Sequence, residues 1–142
     1  MKIQSIGFVL FLSLVMSCGS QKQMTKSDPL YNATWQLEYI SGPRIAFDGL
    51  FPDKKPELTF NKEASQVTGN NSCNGYSASY TLEGKSISFG EPGPTTMMFC
   101  GQGEQQFLNM MQKINRYSFD ADGKLNLMMN EVSMMRFKNV AN

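Results

Sequence analysis

Histidine is missing from all 142 residues, and its absence removes several kinds of chemistry. Serine and cysteine nucleophiles are usually activated by an imidazole base, and many zinc sites use imidazole ligands. The acidic residues are scattered over turns and polar strand positions, so they offer no evident general acid and base pair. The "GQG" segment is too short for a phosphate-binding loop and lacks its lysine. The sequence therefore predicts a protein that is not an enzyme and needs no cofactor and no metal.

An excess of one charge is also missing, since 13 Lys and Arg residues stand against 12 Asp and Glu residues. No basic face favours nucleic acid, and no long run of like charge favours a polyanionic partner or an acidic tail. The chain beyond its N-terminal region is long enough for one small domain and too short for two. We expect a monomeric domain that does not bind nucleic acid.

The N-terminal apolar run is too short for a comfortable bilayer span of roughly 20 residues. In "MKIQSIGFVLFLSLVMS", residues 1–17, Lys2 precedes an apolar run that ends at Met16. This order is typical of a secretion signal. The following "VMSC" resembles a bacterial lipobox, in which the cysteine is diacylated and becomes the mature N-terminus. We therefore predict a signal peptide over 1–17 and lipidation of Cys18, which anchors the protein to a membrane.

Residues 18–30 are polar and lack apolar periodicity, so they are interpreted as a flexible tether. The residue after Cys18 is Gly19 and not the Asp that resembles an inner-membrane retention signal. No acidic cluster that resembles a surface-export signal follows. These features favour the periplasmic face of the outer membrane in a bacterial cell envelope, with a single domain over 31–142.

Short alternating segments separated by turn residues fill most of that domain. In "TWQLEYI", Trp35, Leu37 and Tyr39 alternate with polar residues, which is the period of a half-buried strand. Apolar spacing of three and four residues over 104–114 predicts one helix. Similar alternation predicts further strands near 57–60, 65–69, 76–82, 85–90, 116–120, 124–129 and 132–137. The expected fold is α+β: a mostly antiparallel curved sheet or half-barrel of about eight short strands, with the helix packed against it.

Several segments together resemble the META-domain family, whose members include the HslJ-type heat-shock lipoproteins. These segments are "TWQLEYISG", "PELTFNKEASQVTGNNSCNGYSASYTLEGKSISFG", "TTMMFC" and "EQQFLNMMQKINRYSFDADGKLNLMM". The residues that match the family's two cysteine motifs are Gly69, Cys73, Asn74, Tyr76, Tyr80, Thr96, Met98 and Cys100. Ala78 replaces the usual glycine, and Met97 stands where a basic residue is common.

The resemblance implies an envelope-associated, mostly β domain that is linked to stress tolerance or envelope upkeep and has no established catalytic activity. The first hypothesis is a non-catalytic, lipid-anchored domain that binds a protein or another envelope component. The long loop "SGPRIAFDGLFPDKKP" is the candidate contact, because long loops in small domains are usually functional or mobile. Its apolar members are Ile45, Phe47, Leu50 and Phe51, and we expect some of them to pack on the body of the domain.

The chain has three cysteines, and lipidation of Cys18 would leave Cys73 and Cys100 in a compartment that favours oxidation. A disulfide between them would stabilise the fold by about 3–4 kcal/mol in the chain-entropy model. The alternative is a pair of free thiols, with or without a metal. Two cysteines without histidine supply too few ligands for structural zinc, however, and neither belongs to a C-x-x-C redox motif. We predict the Cys73–Cys100 disulfide.

Methionine is abundant, with 11 residues, and thioethers can bind Cu(I). The alternative hypothesis is therefore a periplasmic protein that binds Cu(I) or a small molecule through its methionine or aromatic side chains. Neighbouring methionines in a strand point to opposite faces and cannot chelate together. Met111, Met129 and Met135 are better interpreted as soft core filling.

Overall fold

The computed structural model describes residues 28–99 and 101–140. The predicted signal peptide, Cys18 and Cys100 lie outside the described residues, as does most of the predicted tether. Among the described residues, no helix has the length and apolar character needed to cross a membrane.

Eight antiparallel strands form one curved sheet, and each strand pairs with the next along the chain. The sheet closes on itself because β8 pairs back with β1. The closure is uneven, since β5 and β6 share one registered pair, Ser86 with Arg116. The elements are β1 Thr34–Ile40, α1 Phe47–Leu50, β2 Glu57–Asn61, β3 Gln66–Asn70, β4 Gly75–Glu83, β5 Ser86–Phe89, α2 Gln102–Met111, β6 Arg116–Phe119, β7 Leu125–Met129 and β8 Val132–Asn139. The predicted α+β class and strand number are confirmed.

Helix α2 packs on the sheet through Phe107, Met110 and Met111, which are all buried. It ends before the predicted residue 114, because Lys113 and Ile114 donate to the carbonyls three residues earlier, Met110 and Met111. Such bonds close a tighter turn that cannot continue an α-helix. Ile114 is still buried at 3% exposure, so its place in the predicted apolar stripe is confirmed although it follows the helix.

Alternating side chains of the strands fill the interior of the closed sheet, and this alternation is interrupted in β1. Trp35 and Leu37 point inward and are almost fully buried, but Tyr39 is 42% exposed and Ile40 is buried in its place. The register between β1 and β8 shifts between Leu37 and Tyr39. Such a bulge adds one residue and moves the following side chains to the other face. The inward position predicted for Tyr39 is therefore wrong.

Methionine fills the core at two of the three predicted positions. Met111 and Met135 are completely buried, whereas Met129 is 37% exposed near the end of β7. The flexible thioether side chain suits the irregular gaps beneath a helix and a closed sheet.

The domain begins before residue 31, because the end of the predicted tether is part of the core. Leu30 is completely buried, and its carbonyl accepts a hydrogen bond from the Trp35 indole at 3.1 Å. The Tyr117 hydroxyl donates to Asp28 Oδ2 at 3.3 Å. Burial first, and then the charge of Asp28, raise the pKa of Tyr117 to about 12. Residues 28–30 therefore pack against the sheet as part of the folded domain.

The candidate binding loop is mostly part of the core. Leu50 and Phe51 are 4% and 2% exposed, and Phe47 is half-buried with its ring 5.3 Å from that of Phe51. Only Ile45 of the four remains well exposed, at 45%. A domain this small needs such apolar side chains to complete its core. The expectation that Leu50 and Phe51 form an exposed contact is therefore wrong.

Candidate binding site

An irregular segment, residues 90–99, runs back along β4, and we call it the strap. β5 pairs only with the second half of β4, from Tyr80 onward. The strap covers the first half, where Gly90 and Gly93 donate their N–H groups to Ser79 and Ser77 carbonyls at 2.8 and 2.7 Å. A Cβ on Gly93 would lie 2.7 Å from the Ser77 hydroxyl. Glycine therefore allows the close approach of the strap to β4.

Asn74 holds the far end of the strap. Its side chain is 2% exposed, and Nδ2 donates to the Met98 carbonyl at 2.8 Å. Oδ1 accepts from the Met98 N–H at 3.1 Å and from the Thr96 hydroxyl at 2.9 Å. One amide thus satisfies both backbone groups of Met98, as a neighbouring strand would. The backbone of the strap is fixed here without regular secondary structure.

Glu104 joins the same network from the first turn of α2. Asn74 Nδ2 lies 2.9 and 3.0 Å from its two carboxylate oxygens, and Asn71 Nδ2 donates to Oε1 at 2.8 Å. A carboxylate is favourable in the first turn because the helix dipole is positive there. The ion pairs of the described residues do not include Glu104. The network therefore connects the turn before β4, the strap and α2 around a carboxylate that has no cationic partner among the described residues.

Above this network the strap exposes three consecutive apolar side chains. Met97 is 97% exposed, Met98 62% and Phe99 94%. They border an open cavity of about 450 Å³ at the start of α2. The remaining lining residues are Asn74, Thr95, Thr96, Gly101, Glu104, Gln105 and Leu108. A contiguous exposed apolar surface of this kind is typical of an interaction site.

The structure brings three of the predicted motif residues into contact, since Asn74, Thr96 and Met98 share the network described above. Tyr76 and Tyr80 are core residues that face the interior of the sheet. The Tyr76 ring meets Phe107 of α2 edge to face at 5.5 Å, and burial raises the pKa of Tyr76 above its ordinary value. Tyr80 donates its hydroxyl proton to the Asn61 carbonyl at 3.2 Å.

Gly69 has a packing role, because a Cβ there would lie 1.8 Å from the Glu57 carbonyl oxygen. It pairs with Leu58 of β2 and Tyr76 of β4, so the backbones come together at this point. A side chain would separate β2 from β3.

Cys73 lies directly before Asn74 and takes part in a disulfide. Its predicted partner, Cys100, lies outside the described residues, so the pairing stays a prediction. The described residues hold no group of three or more cysteine or acidic side chains that could bind a metal ion.

Sequence reasoning missed Met97 and Phe99 as surface residues and Glu104 and Asn71 as partners of Asn74. One signal could have found the first pair: "MMF" is apolar but lies between Pro94 and Gly101, where neither helical nor strand periodicity places it in a core. No comparable signal marks Glu104, since its role depends on where the fold places α2.

Comparisons with known proteins agree with this architecture. The model of the META domain family matches residues 28–141. A protein from Burkholderia xenovorans, solved by NMR, superimposes with a TM-score of 0.61 at 23% sequence identity. The match covers 81% of this chain and 90% of that one, and at this identity it shows a shared fold alone. No curated protein is significantly similar to the sequence.

Proposed function

The chain belongs to the META-domain family, and from this premise we propose that it is a non-catalytic, lipid-anchored domain of the bacterial cell envelope that binds another envelope protein. In this proposal it is an HslJ-type member that supports envelope stress tolerance from the periplasmic face of the outer membrane. The observation that carries the proposal is the exposed Met97–Phe99 segment on a fixed backbone.

Exposing these apolar side chains to water is unfavourable in free energy unless a bound partner buries them. Burying one Met or Phe side chain is worth about 1.5–3 kcal/mol, and the most exposed pair is Met97 and Phe99. The Asn74 amide already fixes the strap backbone beside them, so less conformational entropy is lost on association. A partner that covers both side chains would recover this energy.

The place where residue 28 joins the domain supports a partner in the aqueous space. Asp28 and Leu82 border one surface cavity, so Asp28 lies near the C-terminal end of β4. The hydrogen-bond network of the strap lies at Asn74, which directly precedes the N-terminal end of β4. At a rise of about 3.3 Å per residue, the two ends are roughly 25 Å apart. A lipid attached upstream of Asp28 would therefore join the domain at the end opposite the strap and would leave Met97 and Phe99 uncovered.

The second candidate is binding of Cu(I) or a small molecule, which the two exposed thioethers beside the cavity favour. Met97 and Met98 are neighbours, so their side chains diverge in an extended strap. Met111 and Met135 are completely buried in the core. We therefore expect no tight stoichiometric Cu(I) binding in a titration against a competing chelator, and stoichiometric binding would favour this candidate over the first.

Site-specific photo-cross-linking in living cells tests the first proposal. A photoreactive amino acid at position 97 or 99 is expected to give one discrete cross-linked protein. The matched control is position 132, because Val132 is also an exposed apolar residue, at 58%, but lies on β8. Equal products at all three positions, or none at 97 and 99, would contradict the proposed binding surface.

A further inference from the structure

The outer edge of the strap has free backbone groups. Both backbone groups of Met98 point to Asn74, which requires a locally extended chain. In an extended chain the backbone groups of the flanking residues point the opposite way. Within the described part of the chain, the N–H and C=O groups of Met97 and Phe99 have no hydrogen-bond partner. The strap therefore presents a short unpaired strand edge.

The charge of the cavity wall also limits which partners can bind along this edge. Glu104 is half-buried in the wall of the cavity, and no Lys or Arg is among the described residues that line it. The amides of Asn71 and Asn74 make three contacts with its carboxylate. A carboxylate has about four acceptor positions, so one remains for a further donor. A cationic group would complement this wall, and the face of Phe99 could also contact it.

Resting on the proposed function, we propose that the strap binds an extended peptide segment of a partner protein by strand addition. The segment places a Lys or Arg side chain toward Glu104 and an apolar side chain against Met97 and Phe99. Main-chain hydrogen bonds would supply affinity, and the alternating side chains would supply specificity. A peptide fits better than a small molecule, because Met97 and Phe99 border an open cavity and are more than nine-tenths exposed, so a larger partner is needed to cover them.

Fluorescence anisotropy with the purified full chain tests this inference. The probe is a labelled seven-residue peptide of alternating lysine and valine, and its counterpart contains glutamate in place of lysine. The lysine peptide is expected to bind at least tenfold more tightly, and added salt is expected to reduce the difference. Met97→Ser and Phe99→Ser, both at exposed positions, should each weaken binding at least fivefold, whereas Val132→Ser should not.

Methylation of the peptide backbone tests strand addition itself. Alternate amide nitrogens of the lysine peptide are methylated in two complementary sets, which leave its side chains unchanged. The peptide methylated on the nitrogens that face the strap is expected to lose binding, and the peptide methylated on the other nitrogens is expected to retain it. Three results would overturn the inference. These are equal effects of the two methylated sets, equal affinity of the lysine and glutamate peptides, and binding of octylamine as tight as that of the lysine peptide. If a protein still cross-links at 97 and 99 in that case, the proposed function stands without it.

Discussion

At the scale of single residues, Asn74 explains why an irregular segment can be rigid. Its side chain is almost fully buried, and it bonds Thr96, both backbone groups of Met98 and the Glu104 carboxylate. Aspartate at this position would lose the donors and would place a second carboxylate beside Glu104. Asparagine is therefore suited to this position by its combined donors and acceptors.

Replacing Asn74 by Ala should lower the free energy of unfolding by about 2–4 kcal/mol, because several buried hydrogen bonds are lost and Met98 groups stay unpaired. Urea unfolding of the variant and the wild type measures the change. Asn109→Ala is the matched control, since Asn109 is exposed on α2 and its side chain accepts a hydrogen bond from the exposed Gln105. A loss below about 1 kcal/mol in Asn74→Ala would show that the strap is held by other contacts.

Gly69→Ala should destabilise the protein at least as much as Asn74→Ala. We expect the free energy of unfolding to fall by about 3 kcal/mol or more, because the new Cβ would overlap the Glu57 carbonyl. Thermal unfolding measures this loss. In the control Gly49→Ala, the new Cβ would meet only the Cγ2 methyl of the exposed Ile45, at 3.3 Å, and no backbone atom of another element within 4 Å. Equal melting temperatures for the two variants would contradict the assigned close approach at Gly69.

At the scale of elements, the pairing of β1 with β8 closes the sheet, and the β1 bulge places Glu38 beside this seam. Glu38 Oε1 accepts from Lys124 Nζ at 2.8 Å and from Arg136 Nε at 2.6 Å. Burial by itself would raise the pKa of Glu38, but the hydrogen bonds and charges of Lys124 and Arg136 outweigh it and hold that pKa below its usual value. The three side chains connect β1 to the strands that close the sheet.

Glu38→Gln should therefore destabilise the protein by about 1 kcal/mol at pH 7. A lowered carboxyl pKa contributes stability above the unfolded pKa, near 4.5, and this contribution is lost as pH falls through the folded value. The difference from wild type should accordingly shrink below pH 4.5 in urea titrations at several pH values. Glu83→Gln, at an exposed position on β4, serves as the control. A Glu38→Gln effect that does not change with pH would argue against the ion pair.

Alternation predicts strands well where one face is buried and the other is exposed, as for Tyr76, Ala78 and Tyr80 of β4. It failed at Tyr39, where the bulge depends on pairing with β8 and leaves no local pattern. The length and apolar composition of the loop did not place Leu50 and Phe51, because an apolar loop can fill a core or form a surface. The strap was missed since its conformation depends on Asn74, a contact between distant parts of the chain.

At the scale of the whole molecule, the Asn74 network and the Cys73 disulfide are neighbours in sequence, so both restrain the same end of the sheet. If Cys100 is the partner, the disulfide fixes the chain next to Phe99. The strap would then be held on both sides of its exposed apolar residues.

The double variant Cys73→Ser, Cys100→Ser should lose about 3–4 kcal/mol of unfolding free energy, because the disulfide no longer restricts the unfolded chain. Urea unfolding measures the loss, and reductant should destabilise the wild type without affecting the variant. Mass analysis under non-reducing conditions should show neither cysteine alkylated. Alkylation of both thiols in the native, unreduced protein would contradict the pairing.

The central claim is that the network at Asn74 holds the strap so that Met97 and Phe99 can bind a partner. The most direct test combines Asn74→Ala with a photoreactive amino acid at position 99 and measures the cross-linked product in cells, normalised to the amount of folded protein. The yield should fall at least fivefold, although the reactive position is unchanged, and the Asn109→Ala background should retain the wild-type yield. An undiminished yield in the Asn74→Ala background would contradict the claim.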